Sequence, residues 1–259
     1  MTRKLKNDGC HSKILRGILL VNKEGKFLST WYLVKQPIYY VKSTHEDERG
    51  QVFFYEILLR SKVTNRFPFE EFNSLIATKH GNQLFFNWLK SNLTEFFNQF
   101  TNKTVLSINI EPKQLVTGEF VTFLDELDDF KEKLIIEVTE RLPNSINTVN
   151  FVNQLKAISD KGYYILIDDV DILNHRTKPW KYFARYVNGF KLSPIAVKIC
   201  RKQEFVELVE LITELQLLNN IQLIGEGAEN HQIMETYIEL GINYQQGWYL
   251  GKEELLFTE

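Results

Sequence analysis

The sequence predicts an α/β protein, a (β/α)8 TIM-like barrel with an antiparallel first strand, and three observations carry that reading. Six short apolar, β-prone runs recur along the 259 residues, helix-like segments separate most of them, and the first two β-prone segments adjoin as a hairpin. Each of the six runs also carries or ends in a group able to hold a hard cation or move a proton: Tyr55-Glu56, Ser107-Ile108-Asn109, Ile136-Glu137, Ile167-Asp168-Asp169, Phe190-Lys191 and Gly225-Glu226. A hydrophobic strand has no packing use for carboxylates. If the parallel sheet closes, the carboxyl ends of its strands converge on one face, where barrels of this kind do their chemistry.

Residues 1–30 read as a basic, polar N-terminal appendage with one apolar run and a hairpin turn at Glu24-Gly25, and residues 31–259 as the barrel domain. Two strands, Tyr32–Val41 and Val52–Ser61, are joined by an acidic linker from His45 to Gly50. A helix over about 82–100 follows, because Phe85, Trp88, Leu89, Leu93, Phe96 and Phe100 recur at helical spacing, a stripe that belongs to a core. Val105–Ile110 is the next strand, and Pro112 suits the first turn of one helix running through Phe120 and Leu124. Strand Leu134–Val138 precedes a helix over about 146–159 that stops at Gly162. Tyr163–Ile167 is a strand entering the Asp pair, and a loop with His175, Lys178 and Pro179 leads to the Gly189–Leu192 strand. A helix over about 197–218, strand Ile221–Ile224, a short helix from His231 to Leu240 and strand Tyr244–Leu250 complete the series. No connection is long or Gly/Pro-rich enough to split the domain.

The composition, 44% hydrophobic and 25% charged, is that of a globular protein with a large core. A net charge of -2 gives no whole-chain attraction to DNA or to an anionic membrane, so any phosphate must be held locally. Cys10 and Cys200 stand far apart without a CxxC, which argues against a disulfide framework or a structural zinc site and suits a cytoplasmic protein. The apolar run Ile18–Val21 is too short for a membrane span.

Glu56, Asn109, Glu137 and Asp168 are hard oxygen donors of the kind Mg2+, Mn2+ or Ca2+ prefers, whereas zinc or copper would recruit His or Cys. The adjacent Asp168-Asp169 pair could bridge two ions. Lys191 and Glu226 are candidates for electrostatic stabilisation and proton transfer. A single acid after a strand is ordinarily a helix N-cap or a solvated turn residue. Six chemical groups in one β/α series are not explained that way.

These residues also carry a family resemblance. Tyr55-Glu56-Ile57-Leu58-Leu59-Arg60 resembles the signature of EAL domains, with Ile57 where the family's Ala stands. Further matches follow in the family's order: Gln36-Pro37-Ile38, Ser107 to Pro112, Ile136 to Glu140, Ile167-Asp168-Asp169, Lys191, Gly225 to Glu229, and Gln246-Gly247-Trp248-Tyr249. The resemblance implies a bacterial cyclic di-GMP phosphodiesterase that yields linear pGpG with Mg2+ or Mn2+, two ions in all. It implies metal ligands at Glu56, Asn109, Glu137 and Asp168, with Asp169 and Glu226 near a second ion. It further implies active-site roles for Lys191, Glu229 and Gln246, dinucleotide contacts from Gln36, Arg60 and Leu58, and a loop anchor at Glu140. An Arg suits a phosphate because its planar fork donates two bonds.

The family pattern is not complete. After the paired aspartates the family continues with an aromatic and a Gly-containing loop, whereas this chain reads Val170-Asp171-Ile172-Leu173-Asn174-His175. Ser193 stands where the family has Asp. An active phosphodiesterase, with turnover lowered by the altered loop, is therefore weighed against a non-catalytic cyclic di-GMP receptor and a protein-interaction module. A homodimer or another protein partner is left open.

Overall fold

A computed structural model of the protein describes residues 26–42, 50–100, 103–139, 148–170, 184–194, 210, 213 and 221–258. The appendage before Lys26, most of the acidic linker, Glu140, the loop after Val170 through Pro179 and nearly all of the expected helix over 197–218 lie outside the described residues.

Strands β1 (Trp31–Tyr40) and β2 (Gln51–Ser61) form the antiparallel hairpin. From β2 the sheet runs in parallel through β3 (Leu106–Ile110), β4 (Leu134–Thr139), β5 (Tyr164–Val170), β6 (Gly189–Leu192), β7 (Gln222–Gly225) and β8 (Tyr244–Gln245). β8 pairs antiparallel with β1, which closes an eight-strand barrel, and β9 (Glu254–Leu255) adds to the outer edge of β1. Closure removes free sheet edges and gathers every strand end around one axis.

Outside the barrel lie α1 (Phe69–Ile76), α2 (Lys79–Gln99), α3 (Pro112–Leu115), α4 (Gly118–Glu126), α5 (Thr148–Asp160) and α6 (His231–Glu239). α2 starts three residues before the expected 82 because the Thr78 side chain accepts from the Gly81 backbone N–H and caps it. The single helix expected from Pro112 to Leu124 is two helices, since Thr117 is extended and its side chain caps α4 by accepting from the Phe120 N–H. α1 and β9 were not expected. β8 spans two residues rather than Tyr244–Leu250, and its continuation turns through Gly247 to Gly251. Phe85, Leu89, Leu93 and Phe96 of α2 are buried in the main core, as their spacing requires. Among the described residues no helix is long and apolar enough to cross a membrane.

Side chains alternate along a strand, so positions two apart face the same way. Ile38, Phe54, Ile135, Leu166 and Ile224 form one buried cluster, with Val105, Tyr164 and Tyr244 packed on it. Two residues along from Ile38, Phe54, Val105, Ile135, Leu166, Ile224 and Tyr244, on the same face, stand Gln36, Glu56, Ser107, Glu137, Asp168, Glu226 and Gln246. The barrel interior is thus an apolar plug beneath a polar layer.

Gly225 ends β7 immediately before Glu226, and an added Cβ would lie 2.6 Å from the Tyr237 ring. Tyr237 is fully buried and its hydroxyl donates to the Glu226 carbonyl at 2.6 Å. Gly225→Ala is therefore expected to overpack this contact and cost about 1–3 kcal/mol, read as a lowered midpoint in urea with an unchanged slope. An unchanged midpoint would show that α6 gives way freely and does not fix Glu226.

Candidate active site

The polar layer is organised by one buried ammonium. Lys191 on β6 is fully buried, and its Nζ lies 2.8 Å from Glu137 Oε2, 3.0 Å from Glu226 Oε1, 3.1 Å from Glu56 Oε2 and 3.4 Å from Asp168 Oδ1. These acids come from β4, the end of β7, β2 and β5, residues far apart in the chain that the closed sheet brings together. Glu56 lies in the middle of β2 rather than at its end, yet β2 pairs with β3 only through Ile57. Leu58–Ser61 overhang the barrel rim on β1 alone, so Glu56 still occupies the last barrel turn of its strand.

Two amides complete the surroundings of Glu56. Asn109 Nδ2 donates to Oε1 at 2.6 Å, and Gln246 Nε2 donates to Oε2 at 2.7 Å. Gln246 Nε2 also lies 3.3 Å from Gln36 Oε1, and Gln36 Nε2 donates to the Gly251 carbonyl at 3.2 Å. Gln36, Glu56, Asn109, Glu137, Asp168, Lys191, Glu226 and Gln246 therefore form one connected network.

The Asp pair departs from regular strand geometry. β5 continues through both acids to Val170 instead of ending at Ile167, and its register against β6 shifts between Ile167 and Val170. Asp169 has φ of 60°, a left-handed conformation that Asp tolerates better than most residues. Beyond burial, which raises Asp168 most, Asp169 acts on it in both senses: its charge raises the Asp168 pKa, and its backbone N–H, bonded to the Asp168 carboxylate, lowers it.

One ammonium cannot neutralise four carboxylates. Burial and the nearby Glu56 and Asp168 charges push Glu137 up to about 8 despite Lys191. Burial likewise raises Asp168, and it raises Glu226 well above the carboxylate range, with Lys191 opposing in both cases. Glu56 moves the other way: burial would raise it, but the Lys191 charge and hydrogen bonds from Asn109, Gln246 and Lys191 hold it low. Burial alone would lower Lys191, yet Asp168, Glu137, Glu226 and Glu56 together raise it well above the usual lysine value.

Carboxylate oxygens of Glu56, Glu137 and Asp168 all lie within 4.8 Å of one another, a grouping that could hold a metal ion. Glu137 Oε1 and Asp168 Oδ1 are buried without a hydrogen-bond partner, Asp168 Oδ1 having its 3.4 Å ion contact with Lys191. Orphaned carboxylate oxygens amid excess negative charge are costly unless a cation or protons compensate them. The donor set is all oxygen, which fits a hard divalent cation.

Other expected site residues stand at the rim. Leu58 and Arg60 line a cavity of about 250 Å³ that also reaches Asn109, Glu111 and Thr139. Arg60 is paired with Glu253 and donates to the Leu59 carbonyl at 2.9 Å. Glu229 is exposed and lines a second cleft, of about 210 Å³, with Gln36, Gln246 and Trp248. Sequence reasoning missed Glu253 and Tyr237, neither of which belongs to a strand-end pattern: Glu253 reaches Arg60 across 193 residues, and Tyr237, on the helix that follows β7, fixes the Glu226 backbone.

A family model described as EAL domain matches residues 31–253. A probable cyclic di-GMP phosphodiesterase, PdeI of Escherichia coli (strain K12), is 25% identical over 194 residues, covering 68% of this chain and 23% of its own length. The chain spans less than a third of the length of the curated relatives it matches. The PaMucR phosphodiesterase in complex with c-di-GMP has a TM-score of 0.69 at 18% identity, over 92% of this chain and 98% of its own. Klebsiella pneumoniae BlrP1, in a manganese/cy-diGMP complex, has a TM-score of 0.67 at 20% identity, over 97% of this chain and 72% of its own. At such identity these two structures establish the fold.

The protonation pattern gives the metal-free protein a distinct pH response. Glu137, raised from 4.5 to about 8, contributes stability that is complete below pH 4.5 and is lost as pH rises through about 8. Asp168 and Glu226 act in the same sense, whereas the lowered Glu56 changes stability only on the acid side and the raised Lys191 only on the alkaline side. Thermal midpoints of chelator-treated protein are expected to fall between pH 5 and pH 8, with a shallower fall in Glu137→Gln. A flat profile in the parent would contradict the charge imbalance.

Proposed function

We propose, from the premise that this chain belongs to the EAL domain family, that it hydrolyses one phosphodiester of cyclic di-GMP to linear pGpG in a divalent-metal-dependent reaction. The observation that carries this reading is the buried layer in which four carboxyls face one ammonium and two carboxylate oxygens lack hydrogen-bond partners. Glu56, Asn109, Glu137 and Asp168 would hold Mg2+ or Mn2+, with Asp169 and Glu226 beside a second ion. When bound, such ions activate water and neutralise charge developing on the phosphoryl oxygens.

The chain's own groups divide the remaining work. Asn109 and Gln246 fix both oxygens of Glu56 and so orient it. Lys191 keeps its proton at neutral pH, which makes it an electrostatic partner for an anionic transition state rather than a base. Proton acceptance falls to the carboxylates around it once bound cations have displaced their protons, Glu226 among them, with Glu229 at the rim. Gln36, Leu58 and Arg60 contact the dinucleotide, and Glu140 is the acid the family uses to anchor the loop after the paired aspartates. A cytoplasmic location fits a cyclic di-GMP ligand, and a homodimer or protein partner would couple the protein to a signal.

A second reading, a catalytically weak cyclic di-GMP receptor, is favoured by Val170 to His175, which lacks the family's glycines next to Asp169. Product separation after incubation with cyclic di-GMP and Mg2+ or Mn2+ distinguishes the two. Linear pGpG is expected; tight binding without product selects the receptor.

Glu56→Ala is expected to lower hydrolysis by more than about 100-fold with circular dichroism like the parent's, and the parent rate in this variant would remove Glu56 from the chemistry. Arg60→Ala should weaken cyclic di-GMP binding by about 10-fold with Mn2+ affinity unchanged. Glu253→Gln should tighten binding a few-fold, since a phosphate competes with Glu253 for the same guanidinium. Calorimetry showing unaltered affinity in both variants would exclude Arg60 as a phosphate contact.

A further inference from the structure

We infer that Trp248 is a stacking platform for a purine base of the ligand, and so a specificity-determining residue of the site; this rests on the cyclic di-GMP reading above. The indole is 69% exposed, although Trp is usually largely buried, and no described part of the chain covers it. It lines the cleft of about 210 Å³ formed with Gln36, Gly227, Glu229, Gln246 and Gly247. Gln246, two residues before it, is bonded both to Glu56 and to Gln36, so the exposed ring stands at the edge of the polar layer where a phosphodiester would react. In a nucleotide the base lies one sugar away from the phosphate, on the side a rim residue can reach.

The backbone beneath Trp248 is held in place. Ala228 N–H donates to the Gln246 carbonyl at 2.9 Å, Tyr249 N–H donates to the Ala228 carbonyl at 3.1 Å, and Leu250 N–H donates to the Gly247 carbonyl at 3.1 Å. Gly247 packs so closely that an added Cβ would lie 2.2 Å from the Ala228 carbonyl oxygen. Residue 247 therefore has to be small for the segment to sit against Ala228, and the next residue carries its large side chain outward. A rigid backbone bearing an exposed, planar, apolar face loses little entropy when a base stacks on it. Amide groups of Gln36 and Gln246 line the same cleft, which gives a base polar groups as well as the ring face.

The test is calorimetry with cyclic di-GMP and, separately, with Mn2+, on the parent, Trp248→Ala and Trp248→Phe. Loss of about 10- to 100-fold in dinucleotide affinity is expected for Trp248→Ala, against no more than about 3-fold for Trp248→Phe, which keeps a ring face. Mn2+ affinity should be equal in all three, since Trp248 is outside the carboxylate cluster. Quenching of tryptophan emission by the dinucleotide should be larger in the parent than in Trp248→Phe, which removes one of the four indoles and keeps the other three. Unchanged dinucleotide affinity in Trp248→Ala overturns the inference and leaves the phosphodiesterase reading standing. Mn2+ binding without any cyclic di-GMP binding in the parent overturns the ligand reading itself, and the stacking role falls with it. Parallel losses of Mn2+ and dinucleotide affinity would make Trp248 a structural residue and also overturn the inference.

Discussion

Everything in the polar layer depends on the ion contacts of Lys191. A fully buried ammonium is tolerated only where carboxylates surround it, and four of them do. Their number exceeds what one positive charge can balance, so the layer is stable as protein alone only while some carboxyls keep protons. The same imbalance makes it receptive to a hard cation. Stability and ligand chemistry are therefore two consequences of one arrangement, and any change in the ammonium's position is felt by strands β2, β4, β5 and β7 together.

Much of this was legible in the sequence because a strand alternates with a period of two. Phe54 with Glu56, Ile135 with Glu137, Leu166 with Asp168 and Ile224 with Glu226 each set an apolar residue two positions before an acid. Stacked around a closed barrel, these pairs become the apolar plug and the polar layer above it. What the pattern does not encode is how far each ladder extends. β8 pairs over only two residues because Gly247 turns the chain against Ala228, and β5 carries both acids because Asp169 adopts a left-handed backbone. The helix expected across Thr117 is broken by a cap, which depends on the local competition between a side-chain hydroxyl and a helical carbonyl.

Long-range partners were the least legible. β9 binds the outer edge of β1 through Val34 and Lys35, and Lys35 Nζ donates to the Thr258 carbonyl at 2.8 Å and lies 3.4 Å from Glu254 Oε1. Its ammonium also stands 5.4 Å from the Tyr55 ring centroid and 5.9 Å from those of Phe96 and Phe100. Lys35 and Gln36, adjacent on β1, thus serve opposite faces: one holds the C-terminal strap outside the barrel, the other joins the network inside. The strap in turn brings Glu253 to Arg60. No spacing in the sequence announces that contact, since 193 residues separate its partners.

The central claim is that a divalent cation displaces protons from this buried layer, and proton release on metal binding tests it most directly. Isothermal titration of the metal-free protein with Mn2+ at pH 7, in two buffers of different ionisation enthalpy, reads that release from the difference in heat. About one proton or more per ion bound is expected, because Glu137 is raised to about 8 before the ion arrives. Mn2+ binding with no proton released, or no Mn2+ binding at all, would contradict it.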